Sequence, residues 1–194
     1  KRVMAETCPT EKLAKRVSTY ERIFPWDGEV PDYEPPAEQS IAAQAAREGR
    51  DPQDFVYDVL LERGGKRILY RPLANYAYGN LDTVGEMIRH PDTLVSLGDG
   101  GAHVGVLCDS TSMAYMLTHW TRDRTRGETV PLQWAIKRIT DDNARAIGLH
   151  DRGRIAVGSR ADINVIDYDG LAIGYPEVAY DLPSGGRRLI QRSR

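Results

Sequence analysis

Thr93-Leu94-Val95-Ser96-Leu97-Gly98-Asp99-Gly100-Gly101-Ala102-His103 is a leucine- and valine-rich run that stops in a glycine-rich turn carrying one carboxylate and one imidazole. A short apolar run of this kind suits a buried strand. In α/β barrels the chemistry sits where strands end and the backbone leaves the packed core, and Asp99 falls at that point if 93–97 is a strand. Glycines at 98, 100 and 101 permit positive φ, so a ligand can approach the backbone of Gly100 and Gly101 closely. On spacing alone, the first reading of Asp-Gly-Gly is a plain turn after a strand.

Working outward, 194 residues with 41% hydrophobic and 28% charged side chains describe an ordinary globular chain. A formal net charge of -2 and the lack of a basic stripe argue against a nucleic-acid partner. Arg122, Arg124 and Arg126, interrupted by Asp123, read as a solvated helix end. Cys8 and Cys108 stand far apart and suit reduced thiols in a cytoplasmic protein. No apolar run approaches the ~20 residues of a membrane span, so no membrane partner is expected. Neither Lys1-Arg2-Val3-Met4 nor Gln191-Arg192-Ser193-Arg194 resembles a natural terminus, and the expectation is a piece of a longer protein.

The pattern predicts a short helix over 10–20 and a proline-broken loop over 24–36. Ser40 caps a helix that stops at Gly49, and Asp51-Pro52 starts a second one running to Gly64-Gly65, so the two form a helical hairpin. A strand over 66–70, a ligand-accessible loop over 71–80 and a helix with Val84, Met87 and Ile88 on its apolar face follow. With the strand at Leu94 they have the spacing of a βαβ unit and predict a parallel sheet. Met113, Met116, Leu117 and Trp120 mark the core face of a helix over 112–121. Further helices are expected over 131–139 and 141–148. From Gly153 the alternation of Ile163 and Val165 against Asp162 and Asn164 predicts two short strands and a small β domain. The fold class is therefore α/β, with domains at 1–150 and 151–194.

Three segments carry a family resemblance: His90 to Ala102, Thr118 to Asp123, and Ala135 to Asp167 with Gly153-x-Ile155-x-x-Gly158-x-x-Ala161-Asp162. They resemble the C-terminal part of the N-acyl-D-amino-acid deacylases, metal-dependent members of the amidohydrolase superfamily. The similarity reaches back through Gly49-Arg50-Asp51-Pro52. It implies the last strands and helices of a (β/α)8 barrel plus part of a β-sandwich. It also implies that Asp99 ligates the catalytic zinc, one or two ions in the parent enzyme, and carries a proton from water to the leaving amine. The implied reaction is hydrolysis of a small N-acyl-D-amino acid. The alternatives are a cyclic-amide hydrolase of the dihydropyrimidinase kind and a non-catalytic structural domain.

The family's His-x-His and its later histidine ligands would lie upstream of this chain. The isolated piece is thus expected to be inactive and to bind zinc weakly. His90 and His150 read as structural or solvent-exposed and His119 as packed beside Trp120. His103, four residues after Asp99, is a candidate substrate or metal contact. Residues 100–121 contain no Lys or Arg to hold a substrate carboxylate. Arg71 is the substitute considered, with Tyr76 of the same loop beside it.

Overall fold

The computed structural model describes residues 19–26, 28, 30–96, 103–108 and 110–194. The chain divides into two compact units, 1–81 and 82–194, and the segment 151–194 packs within the second. The helix expected over 10–20 falls outside the described residues except for 19 and 20, and Tyr20–Arg22 is a single 3-10 turn.

In the first unit local chemistry starts the helices. Ser40 Oγ accepts the Ala43 N–H at 3.2 Å and opens α1, Ile41–Arg47. Asp51 Oδ1 accepts the N–H groups of Gln53 and Asp54 at 2.8 and 3.3 Å and opens α2, Pro52–Gly65. Such caps contribute about 1 kcal/mol each. The regular helix of α2 ends before Glu62, which is extended, while Arg63 and Gly64 take left-handed φ of 52 and 68°. Burial of Ile23, Ile41, Ala45, Phe55, Val56 and Val59 holds the hairpin together. An aromatic cluster lies beside it: Trp26 stacks on Tyr70 at 5.1 Å, and Tyr33 meets both rings edge-on. Burial pushes the Tyr70 phenol well above its usual pKa.

The expected parallel βαβ unit is not formed by the described residues. The run over 66–70 contributes β2, Leu69–Tyr70, which pairs antiparallel with β1, Phe24–Pro25. Pairing stays short because Pro25 has no N–H to donate. Residues 93–96 form no strand. Their carbonyls are bound by side chains: the Arg138 guanidinium donates to Thr93 O at 2.6 Å, and Asn143 Nδ2 to Val95 O at 2.8 Å.

The regular structure of the second unit is mainly helical. It contains α3, Asp82–Arg89; α4, Ser112–Thr118; α5, Leu132–Lys137; and α6, Asn143–Ala146. A π turn, His119–Asp123, continues α4, and another, Arg138–Asp142, joins α5 to α6 into one helical run. Met116, Leu117 and Trp120 are buried as expected, at 3, 6 and 3% exposure. The buried face of α3 differs from expectation. Gly85 is its buried residue, and a Cβ there would lie 3.3 Å from the Trp120 ring, while Met87 is exposed.

Two further corrections concern the C-terminal half. Residues 151–167 contain no strand; the antiparallel hairpin is β3, Glu177–Leu182, with β4, Gly186–Ile190, around a turn at Pro183–Gly185. The alternation over 154–167 is real but finds no ladder among the described residues, and Ile155 and Val165 stand 92 and 98% exposed. Arg122 and Arg124 do not form a solvated helix end: Arg122 is half-buried and Arg124 buried. Arg122 donates to the Leu171 carbonyl at 2.8 Å and ties 168–171 to the helix end. Arg124 is 1% exposed, pairs with Asp82 at 2.6 Å and lies over the Trp120 ring at 4.8 Å.

Candidate functional site

The approach to the glycine-rich loop begins at the end of α3. Pro91 cannot continue a helix, and the chain turns through His90 to Thr93. Arg138 Nη2 reaches into this turn and donates to the carbonyls of Ile88, His90 and Thr93 at 3.1, 3.0 and 2.6 Å. A guanidinium suits this place because the last carbonyls of a helix lack intrahelical donors and carry partial negative charge. Asp142 faces Arg138 Nη1 at 3.4 Å and also bonds Lys137. The hydrogen bond from Lys137, reinforced by Arg138, holds the Asp142 carboxyl below the usual carboxylate range. One α5-to-α6 face thus fixes the stem over 88–95.

Beyond this stem the expected site residues Asp99, Gly100 and Gly101 lie outside the described residues. His103 is exposed with φ of 52° and opens a turn in which its carbonyl accepts the N–H groups of Val106 and Leu107 at 2.9 and 3.0 Å. Arg71 and Tyr76 share the 71–80 loop of the first unit, where Arg71 is half-buried. Tyr76 is 4% exposed and its hydroxyl donates to the Pro35 carbonyl at 2.8 Å. The structure therefore places Tyr76 in the core of its unit, with its hydroxyl already committed. His90 and His150 are exposed, and His119 stacks on Tyr115 at 4.5 Å and meets Trp120 edge-on.

Among the described residues no three His, Cys, Asp or Glu side chains gather closely enough to hold a metal ion. The described donors therefore do not themselves fit the zinc implied by the resemblance. No helix among the described residues is long and apolar enough to cross a membrane. A cavity of about 820 Å³ opens in the second unit, lined by apolar groups including Met113, Leu117, Ile139, Ile155, Ile163 and Leu171, and among the described residues none of the expected site residues lines it.

Sequence reasoning missed Arg138 and Asn143. A polar residue in a helix ordinarily faces water, and the bonds of these two to the stem span 45 and 48 positions. Gly153, by contrast, was visible as the first residue of the glycine pattern. It has φ of 86°, and a Cβ would come within 2.7 Å of Asp141 Cα, so only glycine fits against the π turn. The family model described as Amidohydrolase family matches residues 14–187. No curated protein and no solved structure matches the chain.

Proposed function

Because the chain belongs to the amidohydrolase family, with residues 14–187 matching its model, we propose that it is the C-terminal part of a metal-dependent hydrolase cleaving the amide bond of N-acyl-D-amino acids. The observation carrying this reading is the extent of that match. The close fit of Gly153, the first glycine of the family-like pattern, supports it.

In this proposal the chain supplies the last part of a (β/α)8 barrel and part of a β-sandwich, with the stem over 88–95 leading towards Asp99. Asp99 is the residue of this chain that would touch the zinc, since an anionic oxygen can both ligate a metal and accept a proton. Water adds to the acyl carbon and the C–N bond breaks. Asp99 moves the water's proton to the departing nitrogen, and the products are a carboxylate and a D-amino acid. Gly100 and Gly101 let the substrate approach the backbone, His103 contacts it, and Arg71 receives its carboxylate. Tyr76 acts at most by bracing the loop that carries Arg71, because its hydroxyl is committed to Pro35.

The test is Asp99→Asn in the full-length protein. The amide keeps the size of the side chain but cannot accept the proton, so turnover should fall at least about 1,000-fold, comparable with the loss of an essential proton carrier. Undiminished turnover would end the catalytic reading. A panel of N-acetyl-D- and N-acetyl-L-amino acids, hydantoins and dihydrouracil tests the substrate. Preference for the cyclic amides would replace the deacylase assignment.

A further inference from the structure

The cavity of about 820 Å³ in the second unit has no part in the chemistry above. Its volume falls in the range of small-molecule sites, roughly 300–1,000 Å³. Met113 and Leu117 of α4 line it, as do Ile136 and Ile139 of the α5-to-α6 run, and the loop over 152–166 adds Ile155 and Ile163. Among the described residues no aromatic ring belongs to the lining. A flat heterocycle would find nothing to stack on, whereas branched and flexible aliphatic groups pack well around an alkyl chain.

The charged part of the lining is uneven. Arg152, Arg154, Arg160 and Asp162 are its charged members among the described residues. Asp162 engages Arg160 at 2.8 Å, and Arg152 bonds Asp151 at 3.0 Å. Arg154 has no ion pair or hydrogen bond from its side chain among the described residues, so it is the uncompensated cation of the cavity. A guanidinium presents a planar fork that suits a carboxylate. The loop carrying it is already shaped: the Arg160 N–H donates to the Asp151 carbonyl at 2.7 Å, and the Ser159 N–H to the Ala156 carbonyl at 3.1 Å. Gly153, fitted against Asp141, fixes where that loop starts.

We propose that this cavity binds a single-chain alkyl carboxylate, an anion of the fatty-acid kind, with its chain against α4 and the α5-to-α6 run and its carboxylate on Arg154. The apolar walls supply affinity and the free cation selects the head group. The site does not depend on the catalytic reading of Asp99.

The experiment titrates the full-length protein calorimetrically with octanoate, decanoate and dodecanoate, and with decanol and decylammonium as controls of the head group. Each pair of added methylenes should tighten binding about 10-fold. Decylammonium, whose charge Arg154 repels, should bind more weakly than decanoate by about 10-fold or more. Arg154→Gln should weaken decanoate about five-fold and leave decanol unchanged, a modest factor because the guanidinium is exposed. Ile155 is 92% exposed, so Ile155→Glu does not threaten folding, yet it sets a carboxylate in the lining and should remove decanoate binding. Neither residue belongs to the proposed catalytic set, so decanoate bound equally by both variants and the parent would sit elsewhere and overturn the proposal. Equal affinity for decanoate and decylammonium would reduce the site to a bare apolar surface and overturn it too. Amide hydrogen exchange over 152–166 should slow when decanoate binds. Exchange already slow there in the ligand-free protein, with no decanoate taken up, would give the cavity to another part of the polypeptide and refute the assignment.

Discussion

Replacing Arg124 by methionine should destabilise the second unit by about 3 kcal/mol, more than most single surface changes. The guanidinium is 1% exposed, so it has given up nearly all its hydration. In return it bonds Asp82 at 2.6 Å, donates to the Glu128 carbonyl at 3.1 Å and lies 4.8 Å from the centre of the Trp120 ring. Hydrogen bonds to charged groups are worth roughly 1.5–3 kcal/mol each, and a desolvated cation over an indole about 2 kcal/mol. Against these stands the penalty of burying the charge, several kcal/mol, which methionine does not incur. Methionine also keeps most of the apolar stem, so little cavity is added. Asp82 rehydrates on its own, since it is 57% exposed. The net loss comes to about 3 kcal/mol, or roughly 10 °C in Tm for a unit of this size. Asp82→Asn should cost only about 1 kcal/mol, because an amide oxygen still accepts from Arg124. Urea titrations of both single variants and the double variant, followed by circular dichroism, give the coupling directly. A loss below about 1 kcal/mol for Arg124→Met would show that this cation is tolerated rather than used, and would refute the reasoning.

Gly153→Ala should be poorly tolerated, losing about 2–4 kcal/mol, because the new methyl meets backbone at Asp141 and the position has φ of 86°; an unchanged denaturation midpoint would contradict that fit. Asp142 carries a lowered carboxyl pKa, chiefly through its bond from Lys137, so its stabilisation is fully present above the unfolded carboxylate value of ~3.9 and disappears as pH falls through the lower folded value. The stability difference between the parent and Asp142→Asn should therefore be constant between about pH 8 and 5 and shrink below about pH 4; a difference that grows on acidification would reverse the sign and dismiss the pairing.

Where the sequence was read correctly, the deciding chemistry lay within a few residues. Ser40 and Asp51 open their helices because their oxygens reach N–H groups two or three positions ahead. The core side of α4 followed from the spacing of Met116, Leu117 and Trp120. Arg122 and Arg124 were misread because charge in a helix ordinarily means solvent, and their partners Tyr168 and Asp82 stand 46 and 42 positions away. The π turns were invisible for a related reason. A 3.6-residue template divides 131–148 into two helices, whereas one widened turn keeps the run continuous and changes its facing side.

The same distinction explains the two strand expectations. Both 93–97 and 154–167 have the composition of strands, but composition specifies only what a strand would bury, and a strand also needs a neighbour for its backbone. At 93–95 that neighbour is replaced by two side chains, Arg138 and Asn143, which bind carbonyls as an adjacent strand's N–H groups would. At 154–167 no such substitute occurs among the described residues, and Ile155, Val157 and Val165 project outward at 90% exposure or more. Apolar groups in that number need a cover, and the proposed barrel and sandwich would supply it. The exposed segment and the side-chain-held stem therefore answer a single deficit of strand neighbours, one by exposure and the other by the grip of Arg138 and Asn143 on the carbonyls of Thr93 and Val95.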